Sequence, residues 1–116
     1  MNKRFIPVIS ATVLVTVKGS TKDAAGQPVP FKFTLTCNRL PASNLKDRIN
    51  SGEFDMKEVM KEVTTDWKGQ RLIIDQENNQ PAEFCPEAFD ALLDISGMAL
   101  VCFNAFAKES SANEKN

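Results

Sequence analysis

Between Phe54 and Phe106 the chain punctuates itself so explicitly that few folds can accommodate it. Phe54-Asp55-Met56-Lys57-Glu58-Val59 reads as a helix start: Asp55 caps the first turn, Glu58 follows three residues on, and Phe54 is placed to staple against Val59. Phe84-Cys85-Pro86-Glu87-Ala88-Phe89 repeats the device, with Pro86 at the first helical position, where a missing N–H costs nothing, and Phe84 and Phe89 as the staple. Between them Asp66-Trp67-Lys68-Gly69 reads as the stop of the earlier helix.

Ahead of these helices the period changes. Ile9, Ala11, Val13, Val15 and Val17 are apolar and alternate with Ser10, Thr12 and Thr16, as a half-buried strand requires. Val29, Phe31, Phe33, Leu35 and Cys37 form the apolar face of a second strand. The connection from Lys18 to Pro28 holds Gly19, Asp23 and Gly26 and predicts a long, mobile hairpin loop. Two strands alone are marginal in water, so helices must cover the face built from Val13, Val15, Phe31 and Phe33.

The helices follow in order. Ala42 to Asn50 places Leu45 and Ile49 inward and stops at Ser51-Gly52. Met56, Val59, Met60, Val63 and Trp67 then share one helical face. Gly69 to Glu83 is polar except for Leu72-Ile73-Ile74, which suits a short extended piece before the turn cluster Glu77 to Pro81. A third helix runs from Pro86 to about Ile95 with Phe89, Leu92 and Leu93 inward. After Ser96-Gly97 the last helix, Met98 to about Lys108, is apolar nearly all round. These elements predict one α+β domain over residues 1–108, a small antiparallel hairpin sheet packed against three to four helices, followed by a frayed tail at 109–116.

Composition limits what such a domain can do. Fourteen basic and fifteen acidic residues leave a net charge of −1 with no basic stripe, so nucleic acid is not an expected partner. There is no His and no Tyr, which removes the commonest proton-transfer side chain and the commonest nitrogen ligand. Cys37, Cys85 and Cys102 have no CxxC spacing, so neither a zinc site nor a cysteine nucleophile is expected, and the thiols read as buried or capping groups. Glu53, Asp55, Glu58 and Glu62 read as cap and solvated helix face rather than as a catalytic cluster. The expectation is therefore no enzyme, no cofactor and no metal. Met1-Asn2-Lys3-Arg4 before an apolar run has the outline of a secretion signal, but Pro7, Ser10, Thr12 and Thr16 interrupt it and the pattern alternates. No apolar run approaches the length of a membrane span, so no membrane partner is expected.

Taken in order, Phe31-Lys32-Phe33, Arg39-Leu40, the segment Val63-Thr64-Thr65-Asp66-Trp67-Lys68-Gly69, the segment from Pro81 through Pro86 to Phe89, and the aromatic helix at Phe103 and Phe106 resemble the tail assembly chaperones of long-tailed bacteriophages. That family is similar in having a strand-borne Phe-x-Phe, an Arg-Leu leading into a helix, a Trp-x-Gly and a proline-aromatic cap. Cys85 replaces the more usual Ser or Thr cap, and Asn79 stands where the turn often has Gly. The resemblance implies a non-enzymatic protein of the host bacterial cytoplasm, from a phage or prophage. It would hold the tape-measure protein soluble, help recruit tail-tube subunits and then leave, often alongside a frameshifted longer form. The alternative is a minor virion protein, such as a tail-completion or connector component.

A last helix with two apolar faces either sits deep in a core or offers one face to another chain. Met98, Phe103 and Phe106, together with Trp67 at the core edge, are thus the candidate partner-binding residues, for a client helix or for a second copy in a homo-oligomer. A free strand edge is a second candidate contact, with Lys18, Lys22 and Lys32 as its guards against aggregation.

Overall fold

The computed structural model describes residues 4–112. Strands β1 (Thr12–Lys22) and β2 (Pro28–Asn38) form a long antiparallel hairpin, followed by helices α1 (Ala42–Ser51) and α2 (Met56–Val63). Strand β3 (Thr64–Lys68) comes next, then the two-residue strands β4 (Ile74–Asp75) and β5 (Gln80–Pro81), and finally helices α3 (Pro86–Leu93) and α4 (Met98–Ser110). The class is α+β, as expected. The main sheet has the order β1-β2-β3, all antiparallel, and β4 pairs with β5 in a separate small hairpin.

Alternation along β1 and β2 sends Val15, Val17, Phe33, Leu35 and Cys37 to one face, where they are buried together with Val59, Met60 and Val63 of α2 and with Phe89, Leu92, Leu93, Met98, Cys102 and Phe106 of the last two helices. On the opposite face Leu14 and Thr16 are exposed and Thr34 and Thr36 are half-buried. Gly19 stands opposite Phe31, whose ring lies so close that a Cβ at Gly19 would come within 2.8 Å of it, so a side chain there must displace the ring.

The expected hairpin loop is shorter than the sequence suggested. Pairing continues to Lys22 opposite Pro28. Asp23 organises what remains, its carboxylate accepting from the N–H groups of Ala25 and Gln27 at 2.9 Å, while Gly26 supplies a φ of 79°. At the other end the strand starts later than its pattern: Ile9 and Ala11 lie outside β1 and are exposed, because β2 ends at Asn38 and nothing remains to pair them beyond the bond from Arg39 N–H to the Ala11 carbonyl.

The largest correction concerns Trp67, which belongs to β3 and not to the end of α2. Helix α2 stops at Val63 because Thr64 turns extended, with ψ 128°, and pairs with Cys37 of β2, while the Thr65 hydroxyl donates to the Thr36 carbonyl at 3.2 Å. Trp67 still points into the core, opposite Leu35, because a bulge between Thr36 and Cys37 resets the alternation. Four residues after Val63, a helix and this bulged strand aim the side chain the same way.

Local signals elsewhere act as read. Asp55 caps α2 by accepting from the N–H groups of Lys57 and Glu58. Cys85 caps α3, its Sγ accepting from Ala88 N–H at 3.4 Å, and Phe84 packs on Phe89 with 5.6 Å between ring centroids. Phe54, expected to staple against Val59, has Phe103 as its edge-on ring partner. Asn79 adopts φ 57°, the left-handed conformation that Asn tolerates. Helix α1 ends at the left-handed Gly52, yet Ile49, expected inward, is exposed, since the helix lies on the periphery and buries no residue fully. Helix α3 ends at Leu93, two residues early. Helix α4 runs past Lys108 to Ser110, where the Arg39 guanidinium donates to the Ser110 carbonyl at 2.9 Å and ties down what was expected to fray. The rest of that tail, 113–116, lies outside the described residues.

Candidate functional site

The four candidate contact residues fall in two places. Trp67 lies in β3, edge-on to Phe84 and Phe89 at centroid distances of 5.5 and 6.1 Å, and its indole N–H donates to the Ala82 carbonyl at 3.1 Å. Only 8% of it is exposed. It belongs to the lining of a surface groove of about 580 Å³ bounded by Asp66 to Arg71 on one side and Pro81 to Phe84 on the other.

Met98, Phe103 and Phe106 share α4, but not one environment. Met98 and Phe106 are enclosed by the core with Cys102, whereas Phe103 is half-buried, edge-on to Phe54 at 5.3 Å and tilted against Phe106 at 6.4 Å. Helix α4 touches β1, α2 and α3, so the two apolar faces that one small core was not expected to take are largely taken. Three of the four residues, Trp67, Met98 and Phe106, are therefore side chains of this chain's own interior. What α4 leaves outside is narrower: Leu100, 48% exposed, with Phe103 and Ala107 following at helical spacing as one row beside Phe54.

The polar residue that organises the Trp67 end is Gln70, which the sequence reading passed over. It is buried, and its carbonyl oxygen accepts from Leu72 N–H at 3.0 Å and Ile73 N–H at 2.8 Å. Its amide nitrogen donates to the carbonyls of Ile73 and Ala82 at 3.0 and 3.1 Å. Ala82 O is thus shared by Gln70 and Trp67, and the strap from Gly69 to Ile73 is held against the Pro81 to Phe84 segment. A glutamine two residues before an apolar triplet carries no pattern that would single it out.

Charge is arranged across helices rather than around a cavity. Lys57 and Lys61 of α2 both reach Asp90 of α3, at 3.2 and 3.3 Å. The hydrogen bond to Lys57 holds the Asp90 carboxyl below its usual range, and the bond to Asp90 raises Lys57. Burial raises both core thiols; Cys37 also shares a hydrogen bond with the Thr64 hydroxyl, and Cys102 is pushed up to about 12. Among the described residues no three His, Cys, Asp or Glu side chains gather as a metal site. No single helix among them is long and apolar enough to cross a membrane; α3 and α4 together reach that length but bend by 105° between them, and their apolar sides line the core.

Large apolar side chains are exposed most densely elsewhere. Phe5, Ile6, Val8 and Ile9 stand in a run ahead of β1, with Val8 98% exposed. Ile9, which alternation places on the core side of the strand, is exposed with the rest of the run. The chain matches no family model, no curated protein and no solved structure.

Proposed function

We propose that this protein is a tail assembly chaperone of a long-tailed phage or prophage, acting in the host bacterial cytoplasm. It covers apolar helical segments of the tape-measure protein until tail-tube subunits replace it. The observation that carries the reading is the outward row Leu100, Phe103 and Ala107 on α4, bordered by Phe54. A short apolar ridge of this kind suits an amphipathic client helix laid alongside it. Its small size suits the modest affinity that a protein destined to be displaced requires, because only the surplus over the cost of ordering both surfaces appears as binding. The ordered motifs from Phe31-Lys32-Phe33 to Phe106 support the same reading.

Co-expression tests it. The tape-measure protein should stay soluble with the wild-type chain, precipitate without it, and precipitate again with Leu100→Asp, a variant whose melting temperature should match the wild type because the side chain is half exposed. Aggregation of the tape-measure protein regardless of the chain refutes the proposal. So does stoichiometric recovery of the chain from finished virions, which identifies a structural component instead.

A further inference from the structure

The segment from Phe5 to Ile9 is mostly apolar, exposed and in neither helix nor strand, yet its root is fixed. Arg39 holds it from three directions: its backbone N–H donates to the Ala11 carbonyl, its Nε to the Ser10 carbonyl and its Nη1 to the Ser110 carbonyl, each at 2.9 Å. The arm therefore starts from a defined point beside the end of α4, and its own chain would have to reverse at once to bring it onto β1.

The free edge of β1 has the complementary surface. Pro28 and Pro30 stand opposite Lys22 and Ser20 and have no N–H to give to β1, so the residues of β2 that bond to β1 are the odd-numbered ones, in agreement with the Arg39 to Ala11 bond. It follows that Leu14, Thr16 and Lys18 point their backbone groups outward, away from β2. Alongside them runs a groove of about 420 Å³, bounded by Thr16 and Lys18 on the strand and by Val101, Ala105 and Lys108 on α4.

We propose that this edge receives the Phe5–Ile9 arm of a second copy, reciprocally, giving a two-fold dimer with exchanged arms. Pro7 fixes how the arm must lie. Lacking an N–H, it has to face away from the receiving edge, which turns Ile6 and Val8 toward that edge with both their backbone groups available. In antiparallel pairing Val8 then sits opposite Thr16 of the other copy, and Ile6 opposite Lys18. Side chains alternate, so Ile6 and Val8 cover the open face at Leu14, while Phe5 and Ile9 turn to the other side and fill the groove against Val101 and Ala105. Four largely exposed apolar side chains bury on the order of 300 Å² per arm at the usual conversion between side-chain burial and area. Two arms with two receiving faces come to about 1,200 Å², the lower bound of specific interfaces. Among the described residues the arm's apolar side chains are exposed, Phe5 meeting only the Arg4 guanidinium at 5.4 Å, so substitutions there leave the core of the monomer untouched. This inference is independent of the chaperone proposal and uses no residue of the Leu100 row.

Sedimentation equilibrium of the purified chain tests it, together with Val8→Pro, which deletes one edge-facing N–H and adds no charge, and Phe5→Asp, which leaves the backbone intact. The wild type should be a dimer and each variant should shift toward monomer by at least tenfold in dissociation constant, with unchanged far-ultraviolet circular dichroism. In a Cys85→Ser background, Val8→Cys with Thr16→Cys should form a disulfide between chains under mild oxidation. A wild type that stays monomeric at every concentration overturns the proposal. A dimer indifferent to both variants, or a disulfide closed within one chain, does so equally.

Discussion

Replacing Gln70 by Leu keeps most of the side-chain volume and deletes its four hydrogen bonds, but the four losses are unequal. Ile73 O still accepts from Ala82 N–H at 2.9 Å, and Ala82 O still accepts from the Trp67 indole at 3.1 Å, so neither carbonyl is orphaned. The N–H groups of Leu72 and Ile73 lose the acceptor that Gln70 provides. An unsatisfied buried donor costs ~1–3 kcal/mol, and these two are only partly buried, so the expected loss is about 2–4 kcal/mol. Trp67 is the only tryptophan and shares the Ala82 carbonyl with Gln70, which makes urea denaturation followed by its fluorescence a direct assay. Gln70→Glu separates acceptance from donation. Its carboxylate still accepts both N–H bonds but faces the Ile73 and Ala82 carbonyls, which favour the protonated form and raise its folded pKa. Its stability should be greatest below the unfolded carboxylate value of roughly 4.3 and should fall as pH rises through the raised folded value. A loss below ~1 kcal/mol for Gln70→Leu would refute the reasoning, since two orphaned donors cannot cost less than one ordinary net hydrogen bond.

Three further perturbations probe other parts of the account. Asn79→Ala should destabilise by about 1 kcal/mol and Asn79→Gly should be close to neutral, because φ 57° suits Gly and strains Ala; thermal melting of both checks it. Asp90 is held below its usual pKa in the folded state, so its contribution is present above the unfolded value and is lost as pH falls through the lower folded value. Asp90→Asn should flatten that acid-side decline in melting temperature and reduce its salt sensitivity, both modestly for so solvated a pair. A maleimide at neutral pH should label one thiol, the exposed Cys85, in the folded protein and all three in denaturant, because burial keeps Cys37 and Cys102 protonated and inaccessible; intact mass reports the count.

How much of this was legible depended on whether a signal was local. Asp55, Cys85-Pro86 and the Ser96-Gly97 break act within one turn of chain, and the structure uses each as its chemistry dictates. Strand β3 was hidden because Val63 and Trp67 are four residues apart, a separation that satisfies a helical stripe and a bulged strand alike. Only long-range pairing of Thr64 to Lys68 with β2 decides between them. The surroundings of the candidate contact residues were hidden for a related reason. Periodicity shows that α4 is apolar on two sides but not that β1, α2 and α3 surround it, so Met98 and Phe106 went to the interior and Leu100, never singled out, stayed outside. Gln70 gave no pattern at all, and the arm showed only the outline of a secretion signal and Ile9 in phase with the strand. Their roles come from what the fold places, or fails to place, beside them.

The proposed function needs α4 to keep the row from Leu100 to Ala107 for a client while Met98, Cys102 and Phe106 serve the core. Amide chemical shifts of the nitrogen-15-labelled chain, titrated with a soluble amphipathic helix from the tape-measure protein, test this directly. The account predicts saturable shifts at Phe54 and along Leu100 to Ala107, with the groove beside Trp67 and the open face of the sheet unmoved. Shifts confined to the Trp67 groove, or no shifts along α4 at client concentrations that saturate binding, would contradict it.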